Sequence, residues 1–531
     1  MNRYTDSQLI RFVNSCFMRL SYPATLFIAM PSPRWYNAFM SKKNAVGIGG
    51  GFGGLSSAAL LARDGWRVTL LEKHDQLGGR ARNWIQDGYT FDMGPSWYLM
   101  PEVFERFFSL FGKARSEYYP LKPLDPYYQV FFSDRESALL SADTSRNREL
   151  FESFEPGGGE ALGRYLEQAS YKYRTAMDEF LYRNYRHITD FFNWKLITEG
   201  LRLGVFQNLD RFVSSYVTDR RAKQILEYAM VFLGTDPSAA PALYSIMSHV
   251  DLELGVFFPE KGMAGAAQGF ARLCRDLGVE LVPNAEVTRI AVKNGRVSEV
   301  ITEAGAYPAD VVVSSADYHH TDQMLLKSSE AGYSRKYWDS RVVAPSMFIA
   351  YLGISRKLTG LEHHNLYFKE KWSDHFDTIF KTPSWPKDPC FYLSCISKTD
   401  PSSAPEHGEN VFLLVPTAPG LADHDEAREE YLDHVLSHVQ TVTGEDLTRD
   451  AEVRRVYSQR DFIADYHAFK GTALGLSHTL RQTAVFRPAN RSRKVENLFY
   501  TGQYVHPGVG VPMVLIASEI TAGEIRKAYG A

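Results

Sequence analysis

Cysteine is scarce in this chain of 531 residues: Cys16, Cys274, Cys390 and Cys395 are the whole set, and none forms a CxxC pair. A disulfide framework and a zinc site are thereby left without support, and a reducing compartment is favoured. Long apolar runs are missing too. No stretch reaches the roughly 18 to 20 residues that a bilayer crossing needs, and the N-terminal candidate Leu20 to Met30 is interrupted by Pro23. Spanning a membrane is excluded on this reading, while lying on one is not. A formal net charge of -3 leaves no basic excess to neutralise phosphates, which excludes a nucleic-acid partner. Hydrolase signatures are absent, with no serine elbow and no HExxH. The pairs His319-His320 and His363-His364 are chain neighbours, which rarely face one metal, so surface positions are expected and no metal is assigned. What remains is chemistry carried by a bound organic cofactor.

Hydrophobic residues at 44% and charged residues at 23% describe an ordinary globular protein, and the length predicts two domains. The 30 Tyr, 33 Phe and 8 Trp suit either a large apolar cavity or a large core. Residues 1–40 read differently, with four arginines, one acid (Asp6) and no period. They fit a targeting peptide or sequence upstream of a working start at Met40, and the second reading is preferred.

The sharpest pattern follows. Asn44 to Ile48 reads as a short buried strand, then Gly49-Gly50-Gly51-Phe52-Gly53-Gly54 leads into an Ala/Leu-rich helix that ends at Gly65. A second strand, Trp66 to Leu71, carries Glu72 at its tip. This is strand, GxGxxG, helix, strand, acid. Gly49 permits the tight turn, Gly51 lets backbone approach a pyrophosphate, and Gly54 lets the helix pack closely on the strand. The helix start offers free N–H groups to phosphates. Glu72 stands where its carboxylate can accept from ribose hydroxyls, which argues against a 2′-phosphate and hence against NADP. A second loop, Gly78-Gly79-Arg80, is followed by Phe91-Asp92-Met93-Gly94-Pro95. A dehydrogenase has no use for it, whereas the longer FAD needs backbone and an arginine along its pyrophosphate and ribityl chain.

The run from Leu71-Glu72-Lys73 to Gly78-Gly79-Arg80, together with Phe91-Asp92-x-Gly94-Pro95, resembles the amine oxidase/phytoene desaturase superfamily. The Phe52-Gly53-Gly54-Leu55 step resembles its phytoene desaturase branch. The likeness extends from about residue 44 to the C-terminus. It implies that backbone around Val287, in Asn284 to Ile290, meets the adenine side of FAD. It also implies that Gly502, Gly508, Gly510, Val511 and Pro512 form a turn and helix start facing the isoalloxazine ring. Lys73, Gly53, Gly79, Gly94 and Pro95 fall within the same cofactor-contacting motifs.

The expected fold is α/β, with a Rossmann-like, doubly wound parallel sheet binding FAD and a mixed α+β cap for the substrate. Residues 41–130, 254–335 and 476–531 are assigned to the FAD part, and 131–253 and 336–475 to the cap. The resemblance implies an FAD-dependent desaturase that converts phytoene stepwise toward neurosporene or lycopene. A carotene isomerase or saturase using reduced FAD, a desaturase of a later carotene, and a non-catalytic FAD scaffold are the alternatives. Asp190 is the nearest match to the family's acidic cap residue, although Asn193 stands where an arginine is common, and an N-cap role fits equally well. His506 is a second candidate, for action on substrate or for bonding to nearby backbone. A single dinucleotide fingerprint points to oxygen or a quinone as electron acceptor. A water-insoluble polyene substrate implies a cytoplasmic protein held peripherally on a membrane surface, with Arg183 to Leu203 as the docking segment.

Overall fold

The computed structural model describes residues 43–133, 136–185, 207–230, 237–238 and 240–530, all within the unit that runs from Lys43 to Ala531. The 1–40 extension, Asp190 and most of the proposed docking segment lie outside the described residues.

Five short strands make a wholly parallel sheet: β1 (Asn44–Ile48), β2 (Arg67–Leu71), β3 (Glu280–Val282), β4 (Val311–Ser314) and β5 (Leu498–Tyr500). Their spatial order is β5-β4-β1-β2-β3. The central members read as continuous apolar runs because both faces of a parallel sheet are covered. One face carries three helices, α1 (Phe52–Arg63), α2 (Gly262–Asp276) and α3 (Val511–Tyr529). Ala45, Val68, Leu70, Val311 and Val313 pack there with Leu55, Ala58, Ala59 and Phe270. Val46, Ile48, Leu71 and Val312 face the other way, onto an antiparallel meander of Val287–Lys293, Arg296–Thr302 and Gly305–Pro308. Its first turn holds Asn294 and Gly295 at φ 52° and 74°. Two successive residues with positive φ are what a two-residue hairpin loop requires, so the Asn-Gly dipeptide fits its place.

Gly47 breaks β1's apolar pattern, and a branched side chain would be expected to pack better there. The structure gives the opposite reason. A Cβ on Gly47 would lie 2.6 Å from Leu70 Cδ1, so the space beside the strand is already filled from its neighbour β2.

A second, seven-stranded sheet is mixed. Its spatial order is Ala451–Tyr457, Ser346–Ile354, Glu409–Thr417, Phe391–Ser394, His364–Phe368, Tyr128–Phe132 and Ser137–Leu140. All neighbours are antiparallel except His364–Phe368 beside Tyr128–Phe132. Side chains alternate between faces, as strand geometry demands. Phe348, Ala350 and Leu352 pack with Tyr431, Leu432 and Val435 of the helix Asp425–Thr443. Met347, Ile349 and Tyr351 join the opposite core, with Tyr128, Tyr165 and Tyr228. Helices Gly158–Ala176 and Arg220–Glu227 close that side.

The histidine pairs are not fully exposed; His319 and His320 are half-buried and His363 and His364 lie in the core. His363 and His364 are buried, and their Nδ1 atoms bond Thr399 Oγ1 at 2.6 Å and Tyr392 OH at 2.7 Å. Burial drives His363 down to about 3 and His364 well below the ordinary histidine value, so both are neutral core residues. His320 is stacked on His467 and held near 4 by burial, and His319 stacks on Phe469. Their sequence positions gave no sign of this, because strand His364–Phe368 is covered on both faces only in the assembled sheet.

Candidate active site

The carboxyl ends of β1 and β4, the Gly78-Gly79-Arg80 loop and the start of α3 surround one cavity of about 840 Å³. At β1 the chain turns on Gly49, whose φ of +93° an L side chain rarely adopts. Five residues on, a Cβ at Gly54 would lie 1.8 Å from Gly49 O, so α1 rests directly on its own approach loop. The starts of α1 (Phe52, Gly53) and α3 (Val511 to Val514) both line the cavity. Two positive helix ends thus converge there. Ser56 of α1 and Ser518 of α3 bond at 2.7 Å, and Thr501 reaches Ser518 at 3.0 Å, which fixes the two helix starts together.

Glu72 closes the loop from β2. Its Oε2 accepts from Gly50 N at 2.6 Å and its Oε1 from His74 N at 2.8 Å, so the carboxylate shapes the glycine loop as well as lining the cavity. Lys73 lines the cavity, but its Nζ is turned to Ala464 O at 2.6 Å and lies 3.6 Å from Glu286. Arg80 is the telling residue. Its guanidinium lies over Tyr466, 4.8 Å from the ring centroid, while Nε and Nη2 are buried with no hydrogen-bond partner. Buried donors left unpaired are costly and call for an acceptor. A dinucleotide supplies one. The glycine cradle and these donors therefore fit FAD.

Gly51, Gly79, Gly94, Pro95, Val287, Gly502, Gly510, Val511, Pro512 and His506 also border the cavity. Gly54 and Gly508 do not; the first seats α1 and the second lies against the His478 ring. His506 is buried, with Tyr185 edge-on at 5.3 Å. Burial lowers it to about 4, Arg487 adds to the effect, and the backbone of Phe180 and Leu181 opposes it. Burial therefore favours its neutral imidazole.

Beyond the glycine loops the wall turns apolar: Ala176, Phe180, Leu243, Met247, Val250, Met347, Ile349, Leu414 and Leu474. Such a chamber excludes water and holds an apolar ligand with few polar contacts. Two groups here carried no sequence signal. Arg487, fully buried, donates to Gln503 O at 2.6 Å, Tyr504 O at 3.1 Å and Gln482 O at 3.3 Å, bracing the Gly502 to Gly510 loop. Asp251 sits in the apolar wall with two tyrosine hydroxyls on one oxygen. Both lie far in sequence from what they serve, and neither belongs to a spaced motif. Arg487 precedes a proline and a polar stretch that reads as ordinary loop.

The comparisons with known proteins agree with this geometry. The flavin containing amine oxidoreductase family matches residues 52–526. A carotenoid 3,4-desaturase of Haloarcula japonica is 44% identical over 485 residues, covering 91% of this chain and 98% of that protein. A 4,4'-diapophytoene desaturase (4,4'-diaponeurosporene-forming) of Staphylococcus haemolyticus is 32% identical, covering 90% of this chain and 97% of that one. Among solved structures, an oxidoreductase from Methanosarcina mazei superposes with a TM-score of 0.59 at 15% identity, covering 91% of this chain and all of that one.

Proposed function

Since the chain belongs to the flavin containing amine oxidoreductases and is an FAD-dependent oxidoreductase, we propose that it desaturates a carotenoid. The observation that carries this reading is one cavity whose described lining runs from the glycine loops to an apolar chamber. FAD, when bound, supplies a two-electron acceptor for hydrogen removed from adjacent carbons. The chain's part is to hold the pyrophosphate on Gly51 to Gly54 and Arg80, to set the flavin end on the Gly502 to Gly510 turn, and to seat a polyene in a dry wall. The proposed FAD part, 41–130, 254–335 and 476–531, is supported by the parallel sheet, whose five strands come from those segments.

Phytoene was the substrate expected from motifs alone. The higher identity to a 3,4-desaturase than to a diapophytoene desaturase favours a later, already conjugated carotenoid. No described helix is long and apolar enough to cross a membrane. Delivery of an insoluble substrate then calls for a membrane surface, and reoxidation for oxygen or a quinone. The test is to incubate purified, FAD-loaded protein in liposomes with phytoene or with lycopene and record the pigment spectrum. A red shift establishes desaturation, and the substrate that shifts identifies the class. No shift with either, in fully FAD-loaded protein, refutes the reading.

A further inference from the structure

Five carboxylates line the cavity among the described residues: Glu72, Asp251, Glu286, Asp317 and Asp465. Four are occupied at the nucleotide end. Glu72 holds the Gly50 and His74 amides, and Glu286 pairs with Lys73 and His467. Asp317 accepts from His320 N and Tyr504 OH, and Asp465 pairs with Arg82 and Tyr457. Asp251 is the exception, lying in the apolar wall between Val250, Met247 and Tyr228.

Its local backbone is unusual. Val250–Leu254 is a π-helical turn continuing the short helix Ile246–His249, a widening that recurs at functional sites. Asp251 is 3% exposed. Its Oδ2 accepts from Tyr228 OH at 2.7 Å and Tyr128 OH at 3.0 Å, whereas Oδ1 is buried and no described side chain bonds to it. A carboxylate half satisfied and half bare is expensive in such a wall unless a reaction uses it. Burial pushes its carboxyl up to about 7, against the pull of the Tyr228 and Tyr128 hydroxyls and of the Asp251 and Leu252 backbone amides. The other titratable groups that feel its charge are Tyr127 and Tyr165, and no cation among the described residues pairs with it.

We propose that Asp251 is the proton acceptor of the desaturation, taking the proton from the substrate carbon next to the one that loses hydride. The inference rests on the carotenoid desaturase reading. In each round two C–H bonds on adjacent carbons break. With FAD bound, the cofactor would supply the two-electron acceptor for hydride; the proton would pass to Asp251 Oδ1, and the electron pair it leaves behind would become the new C=C bond. Substrate loses two hydrogens, flavin gains two electrons, and Asp251 is left as the neutral acid. That acid then releases its proton to solvent between rounds. The Tyr128 and Tyr228 hydroxyls on Oδ2 hold the carboxylate in place and leave Oδ1 for the incoming proton.

A purely structural Asp251 would tie Tyr128 of the second sheet to Tyr228 beside the helix Arg220–Glu227, and asparagine could keep that tie. The test is therefore Asp251→Asn, with Asp251→Glu beside it, in the FAD-loaded full chain with lycopene in liposomes. The anaerobic rate of flavin bleaching should rise with pH and level off above about 7 in the wild type, because only the carboxylate accepts. Asp251→Asn should bleach about 100-fold or more slowly and lose that pH dependence, with Asp251→Glu partly restored. An infrared difference spectrum between about pH 6 and about pH 8 should show a protonated carboxyl band disappearing in the wild type and missing from Asp251→Asn. An FAD-loaded Asp251→Asn that bleaches within about threefold of an active wild type overturns the proposal alone. A wild type that bleaches with no carotene overturns the desaturase reading and this inference with it.

Discussion

Replacing Arg487 by methionine should release the flavin-facing turn. The guanidinium is fully buried and donates to the carbonyls of Gln503, Tyr504 and Gln482. Hydrogen bonds from a charged donor contribute about 1.5–3 kcal/mol each, so three give roughly 4–9 kcal/mol before costs. Burial opposes them, lowering the guanidinium from its ordinary value to about 10. At about 1.4 kcal/mol per pKa unit, that depression corresponds to about 3 kcal/mol. The net is about 1–5 kcal/mol, and methionine, which fills much of the volume, leaves three carbonyls without their donor. The loss should appear as a lower urea midpoint. Because two of the carbonyls, those of Gln503 and Tyr504, lie within the Gly502 to Gly510 loop that borders the cavity, FAD occupancy should fall as well. Lysine should recover little, since one ammonium cannot reproduce a planar fork reaching three acceptors. The assays are the flavin-to-protein absorbance ratio after gel filtration and urea unfolding followed by fluorescence. An Arg487→Met protein with wild-type flavin content and an unchanged midpoint would refute the bracing argument.

Gly54→Ala should purify with little FAD, because its methyl would lie 1.8 Å from Gly49 O and must push α1 off the phosphate loop; full flavin content after gel filtration would contradict this. Gly47→Ala should lower stability by about 1–3 kcal/mol through overpacking against Leu70, and Gly47→Ala with Leu70→Val should recover part of it, as read by urea midpoints. Stability should also fall as pH drops from about 6.5 toward 4. Burial holds His375 and His506 near 4, so the unfolded chain binds protons there that the folded chain refuses. Each contributes a slope of up to about 1.4 kcal/mol per pH unit, and His506→Gln should flatten the measured dependence by one such share.

Much of the cofactor side was legible because its physics is local. A glycine that must turn, a glycine that must let helix meet strand, and an acid at the next strand tip are separated by fixed numbers of residues. Strand β1 runs from Asn44 to Ile48 as its apolar run suggests, and α3 begins at Val511, just after the glycine turn. The Rossmann-like parallel sheet and the FAD cradle follow from those spacings. The burial of His363 and His364 does not, because it depends on which strands lie on either side of His364–Phe368. Gly47 could not be understood without Leu70, 23 positions away and directly across the sheet. Arg487 and Asp251 acquire their roles from carbonyls and hydroxyls that only folding brings within 3.3 Å. By itself the sequence determined the strand, glycine loop and helix that we propose hold a dinucleotide, since neighbouring residues make that unit. The tertiary structure alone decided which buried charges border the cavity, since a charge is shifted by everything packed against it, from every part of the chain.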